Sequence, residues 1–173
     1  MRKLQSLVML LTILLSACYI SKNLLLDPSA ARQPWPSSTW SETKNGVITT
    51  YHATKRSDGW YDYAEERSDT GKKEEHKILL NDLGTVNGRV LYAYAMQFEP
   101  GNEGAQFIYG IIATLPGGKW KPVTPDCSSE PAESIAKSRH ADKDCMFTGR
   151  AQLLDALRAY ANTPQFAQAV DAP

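Results

Sequence analysis

Two stretches near the middle of the chain constrain its fold more than any other feature. Residues 89–98 alternate, so that Val90, Tyr92, Tyr94, Met96 and Phe98 fall on one face of a strand and Leu91, Ala93 and Ala95 on the other. Residues 105–115 repeat the pattern, with Phe107, Tyr109, Ile111 and Ala113 opposite Ile108, Gly110 and Ile112. A strand that is apolar on both faces must be covered on both faces, so these two read as the centre of a sheet. Asn87-Gly88 ahead of the first is a tight hairpin turn. The Pro-Gly-Asn-Glu-Gly loop at 100–104 is too short to hold a crossover helix, which makes the pairing antiparallel.

The flanking sequence extends this sheet. Residues 47–53 are rich in β-branched side chains, and turn-forming residues 54–59 lead into Trp60-Tyr61-Asp62-Tyr63, a hairpin. Residues 77–80 resume an apolar pattern. Pro116-Gly117-Gly118 turns the chain into a short strand over 119–123, where Pro122 predicts an edge. A polar excursion over 124–144 includes one short helix near 133–139. Thr148 then stands as an N-cap to a helix carrying Leu153, Leu154, Leu157, Tyr160 and Ala161 until Pro164 stops it, with Phe166 and Val170 in a half-ordered turn. The expectation is an α+β fold: a single antiparallel sheet of about five to seven strands in a meander, with a C-terminal amphipathic helix. That helix covers only one sheet face. The other is left for solvent, a second subunit or a partner.

Nineteen Lys and Arg balance nineteen Asp and Glu over 173 residues, so no field of one sign exists to collect nucleic acid. A length of this order suits one domain with its own core.

The N-terminus begins with Arg2 and Lys3 and continues in an apolar run over residues 7–15 interrupted by Thr12. It ends in Leu15-Ser16-Ala17-Cys18. Even counted from residue 4 to 17 this falls short of the ~20 residues of a membrane-spanning helix and reads as a targeting segment. The exit Leu15-Ser16-Ala17-Cys18 resembles the lipobox of bacterial lipoproteins, a resemblance confined to the first eighteen residues. It implies that the Cys18 sulfur receives a diacylglycerol, that cleavage follows Ala17, and that the new amino group is acylated, with palmitate among the chains. In such proteins an Asp after the lipidated cysteine commonly directs retention at the inner membrane. Tyr19 stands there instead, so the resemblance implies the outer membrane with the domain facing the periplasm. Each buried methylene contributes about 0.8 kcal/mol, and two or more chains anchor stably where one does not. The competing reading is an ordinary secretory signal that leaves Cys18 as a thiol. The organisation that follows is a signal peptide over 1–17, the lipidated cysteine and a Pro- and Ser-rich tether over 18–43, and one α+β domain over 44–173. Trp35 and Trp40 in the tether read as anchors against the domain or as ligand contacts.

With Cys18 lipidated, Cys127 and Cys145 remain as an even pair in an oxidising compartment, and a bridge between them is worth roughly 3 kcal/mol. His140, Asp142, Asp144 and Cys145 offer metal-ligand atoms, but no spacing pattern fixes their geometry, and neither a metal nor a cofactor is expected. The chain has no GxSxG elbow, phosphate loop or HExxH pattern. His52 and His76 lie in expected strands and could meet across the sheet beside Asp62 or Glu66. His140, Ser138 and Asp142 supply triad residue types without a triad's geometry. Trp60, Tyr61, Tyr63 and Trp120 are the candidate binding residues, able to stack on sugar rings or a protein, although core packing competes for them. The expectation is a lipid-anchored, periplasm-facing, non-catalytic binding or structural module of the cell envelope. Its membrane contact is Cys18 and its partner an envelope protein or cell-wall glycan. The alternative is a small periplasmic hydrolase using His and acidic residues.

Overall fold

The computed structural model describes residues 19–97, 107–116, 120–142 and 144–171. The targeting segment 1–17, Cys18, Phe98, the 100–104 loop and Gly117-Gly118 lie outside the described residues.

Eight strands form one sheet: β1 (Tyr19–Ser21), β2 (Ser38–Lys44), β3 (Val47–Lys55), β4 (Tyr61–Arg67), β5 (Lys73–Val86), β6 (Arg89–Gln97), β7 (Phe107–Thr114) and β8 (Trp120–Val123). Three helices follow: α1 (Ala132–Ser138), α2 (Arg150–Ala161) and α3 (Pro164–Asp171). Strands β2 to β7 run as an antiparallel meander in chain order. The outer edge of β7 is shared, because Tyr19 of β1 pairs with Tyr109 while Val123 of β8 pairs with Ile111. The α+β class and the meander hold. The strand count exceeds the expected five to seven, and Pro122 does lie in an edge strand. Asn87-Gly88 turns with φ of 50° and 75°, the left-handed pair that a two-residue hairpin turn requires, and Asn45-Gly46 does the same at 52° and 79°.

The expected tether over 18–43 is corrected by this architecture. Tyr19, Ile20 and Ser21 form a buried strand, Leu26 enters the core at 2% exposure, and Ser38–Lys44 is a full strand paired with β3. A segment of scattered prolines carries no period for a strand ladder, yet its apolar residues still find partners in the domain. Between β1 and β2 the chain acts as a strap. Where β4 has ended, it takes the vacated side of β5: Ala31 bridges Asn81 and Arg32 N–H donates to Leu80 O at 2.9 Å. The buried Asn81 amide closes the join, accepting from Asp27 N–H at 2.8 Å and donating to Asp27 O at 2.9 Å. Both halves of that amide are satisfied, as burial demands.

Gly149, with an extended φ of −124°, is the N-cap of helix α2, and no side chain caps the first turn, contrary to the role expected for Thr148. The half-ordered turn expected around Phe166 and Val170 is a complete helix, α3, that buries both residues. None of the described helices is long and apolar enough to cross a membrane.

The sheet carries a core on each face. On one, Leu79, Leu83, Leu91, Ala93, Ala95, Tyr109 and Ile111 meet Leu153, Ala156 and Leu157 of α2 and Phe166 and Val170 of α3. On the other, Ala53, Tyr61, Ile78, Leu80, Tyr94 and Ile112 form a second cluster, joined by Trp35, Trp40, Tyr63, Tyr92, Met96 and Trp120. Trp40 of β2 and Trp120 of β8 lie at opposite ends of the strand order, which in a flat sheet would place them roughly 29 Å apart at ~4.8 Å per strand. Their ring centroids are 4.5 Å apart. The sheet is therefore curled about its second face until its two edges touch through side chains, with β8 pairing to β7 rather than to β2. The second face is the concave one and the helices cover the convex one.

Cys127 and Cys145 are bonded, with Cα atoms 6.3 Å apart. The bridge ties the loop after β8 to a segment that flanks β1, where Cys145 O accepts from Ile20 N–H at 3.3 Å and Ile20 O accepts from Phe147 N–H at 2.9 Å. The 124–144 excursion is closed at both ends as the sequence predicts.

Candidate functional site

The concave face gathers most of the aromatic side chains of the sheet. Alternation sends Tyr51 and Ala53 of β3, Tyr61 and Tyr63 of β4, and Tyr92 and Tyr94 of β6 to this side, because they pair in register through Ile78 and Leu80 of β5. Trp35 arrives from the strap. Its backbone is gripped by the Tyr61 phenol, which donates to Trp35 O at 2.9 Å and accepts from Trp35 N–H at 3.3 Å. The Trp35 ring stacks on Trp120 at 5.2 Å and meets Tyr92 edge-on at 5.3 Å. Trp40 continues the chain of contacts, edge-on to Trp120 at 4.5 Å and stacked on Tyr51 at 5.2 Å. Offset and edge-on pairs of this kind each contribute about 0.5–1.5 kcal/mol beyond their buried area.

Beneath Trp35 and Trp120 lies a cleft of about 310 Å³, open mouth included, whose walls are Tyr61, Tyr63, Ile78, Leu80 and Ile112 with Ala53 and Ser38. No lining residue carries a formal charge. Burial and the grip on Trp35 act in opposite directions on the Tyr61 phenol, and burial prevails, raising its pKa above the usual value. The walls present flat apolar rings with a few hydroxyls, which suit an uncharged ring or apolar group.

Of the four aromatic residues singled out by sequence, the fold brings three together. Tyr61 is buried in the concave cluster and Tyr63 and Trp120 are half-buried beside it. Trp60 departs: it packs against the convex core, while its carbonyl accepts from Gln33 Nε2 at 2.7 Å and Arg56 N–H at 2.9 Å. Trp35, Trp40, Tyr51 and Tyr92 belong to the cluster and are absent from that candidate set. For Trp40 and Tyr51 the Asn45-Gly46 dipeptide was an available signal, since it marks a hairpin that brings the two into register.

The histidines do not converge. His52 pairs in register with Ala64 while His76 pairs with Tyr63, so the two rings point to opposite faces of the sheet. His52 Nδ1 lies 2.9 Å from Thr39 Oγ1, and His76 Nε2 lies 3.8 Å from Glu74. Asp62 shares the His52 face but pairs with Arg56 at 3.2 Å, and Glu66 lies further along that face, toward the other end of β4. Ser138 Oγ donates to Ile135 O at 2.8 Å, and Asp142 accepts from Met146 N–H at 2.9 Å, so both serve local backbone. Among the described residues no three His, Cys, Asp or Glu side chains are grouped to hold a metal ion.

No protein-family model matches the chain, and neither a curated protein nor a solved structure matches it.

Proposed function

We propose that this chain is a lipid-anchored, periplasm-facing binding module of the bacterial outer membrane, whose recognition site is the aromatic cleft under Trp35. The observation that carries the binding half is the cleft itself: uncharged, ring-lined and open, with neither His52 nor His76 among the residues that line it. The anchoring half is supported by the Leu15-Ser16-Ala17-Cys18 exit followed by Tyr19, and by a disulfide of the kind that persists outside the cytoplasm. The binding partner is a neutral ring-bearing group of the envelope, for which cell-wall glycan offers flat sugar faces to stack on Trp35 and Trp120. The interior beneath the rings holds little more room than one water molecule, so a ligand stacks at the mouth or displaces Trp35.

Retention of the purified domain on isolated cell-wall sacculi tests the binding half. Trp120→Ala should cut retention at least tenfold while the thermal transition stays cooperative. Equal retention of the variant sinks the cleft as the recognition site. Metabolic labelling with a radioactive fatty acid tests the anchor: label should enter the wild type and be lost in Cys18→Ala.

A further inference from the structure

Residue 19 already belongs to a closed ladder. Tyr19 is fully buried, pairs with Tyr109, packs its ring on Phe147 at 5.0 Å and donates its hydroxyl to Ala132 O at 3.0 Å. Ile20 is held from the opposite side by Cys145 and Phe147, in the segment that the disulfide fixes. A strand with partners along both edges cannot serve as a leash, and one residue reaches at most about 3.6 Å. If Cys18 carries the acyl chains, no flexible chain separates the bilayer from the fold.

We propose that the β1/β8 edge of the sheet lies flush against the bilayer and that the domain is thereby held in one orientation, with the 124–128 loop and the 142–146 turn at the lipid headgroups. This rests on the anchored reading above. The partner is the lipid surface itself. Lys22 follows β1 and Lys121 lies in β8, while Asp126, Asp142 and Asp144 lie in the two flanking loops, charges of both signs, so the acyl chains and not electrostatics supply the hold. Added salt leaves the domain in place. Trp120 lies further along the same edge, in β8.

The test uses the full-length acylated protein in phosphatidylethanolamine–phosphatidylglycerol vesicles containing headgroup spin-labelled lipid. A fluorescent residue is placed either at Asp144, beside β1, or at Thr70, in the β4–β5 turn three strands beyond β7. Quenching should be several-fold stronger at position 144 than at 70. Ten Gly and Ser residues inserted between Cys18 and Tyr19 add a span of roughly 17 Å and should bring the two positions to equal quenching, with the melting curve confirming that the variant folds. Equal quenching at both positions in the acylated protein without the insert overturns the flush orientation. A mass spectrum of the N-terminal peptide lacking the lipid overturns the anchored reading instead, so the two failures are distinct.

Discussion

On the convex face of the sheet, small and aliphatic residues meet regular helices: Ala93, Ala95, Ala113 and Leu79 lie under Leu153, Ala156 and Leu157. On the concave face the same strands present Ile78, Leu80, Tyr94 and Ile112 to none of the described helices. Side chains there must reach across the curl, and large rings do so where methyl groups would leave a void. Alanines let a helix settle close to the strands, whereas Trp35, Trp40 and Trp120 bridge edges whose backbones do not pair. One face is closed by elements with their own hydrogen-bonded frame. The other is closed by rings and a strap, which is where the proposed ligand would enter, and global stability belongs to the helix side.

Breaking the convex face should cost the most. Leu157 is fully buried, and Leu157→Ala should lower unfolding free energy by about 2–5 kcal/mol in urea titrations, the range for large-to-small changes in a packed core. A loss below ~1 kcal/mol would deny that the helices carry the stability. On the concave side, a side chain at Gly110 would meet the Tyr94 ring and Val123 O, both 2.6 Å from its Cβ. Gly110→Ala should therefore cost about 1–3 kcal/mol by overpacking and should alter tryptophan fluorescence as Tyr94 is pushed toward the cleft. An unchanged spectrum with lowered stability would show the strain relaxing away from the aromatic cluster.

The smallest effect is alkaline. Burial pushes the phenols of Tyr19 and Tyr109 on the convex side, and of Tyr61 on the concave side, above the usual value near 10. A raised folded-state pKa means that the folded chain holds its protons more tightly than the unfolded one. The stabilisation is fully present below about pH 10 and is lost as pH climbs above it. Melting temperature should be level through neutral pH and fall beyond that point. Tyr19→Phe should flatten the fall, at the expense of the donor to Ala132 O. A variant that loses melting temperature as steeply as the wild type would remove Tyr19 from the account.

Local signals were enough to place Tyr92, Tyr94 and Met96 opposite Leu91, Ala93 and Ala95, and to find the paired central strands, the terminal helix and the Cys127–Cys145 bridge, because each depends on local period, turn chemistry or a count of cysteines. The same local signals identified Tyr61, Tyr63 and Trp120 as aromatics of the sheet. They could not show that Trp60 turns to the convex core one residue before Tyr61, or that His52 and His76 point apart, since those outcomes depend on strand boundaries and register set by neighbouring strands. Residues 19–43 read as a linker because they lack any sustained period, and their place was decided by contacts made far along the chain, with Tyr109, Asn81, Tyr61 and Trp120. Curvature was the most distant property of all. Local pattern states which residues share a face, whereas the meeting of Trp40 with Trp120 requires the accumulated twist and bend of the strands between them, a sum that only the folded sheet performs.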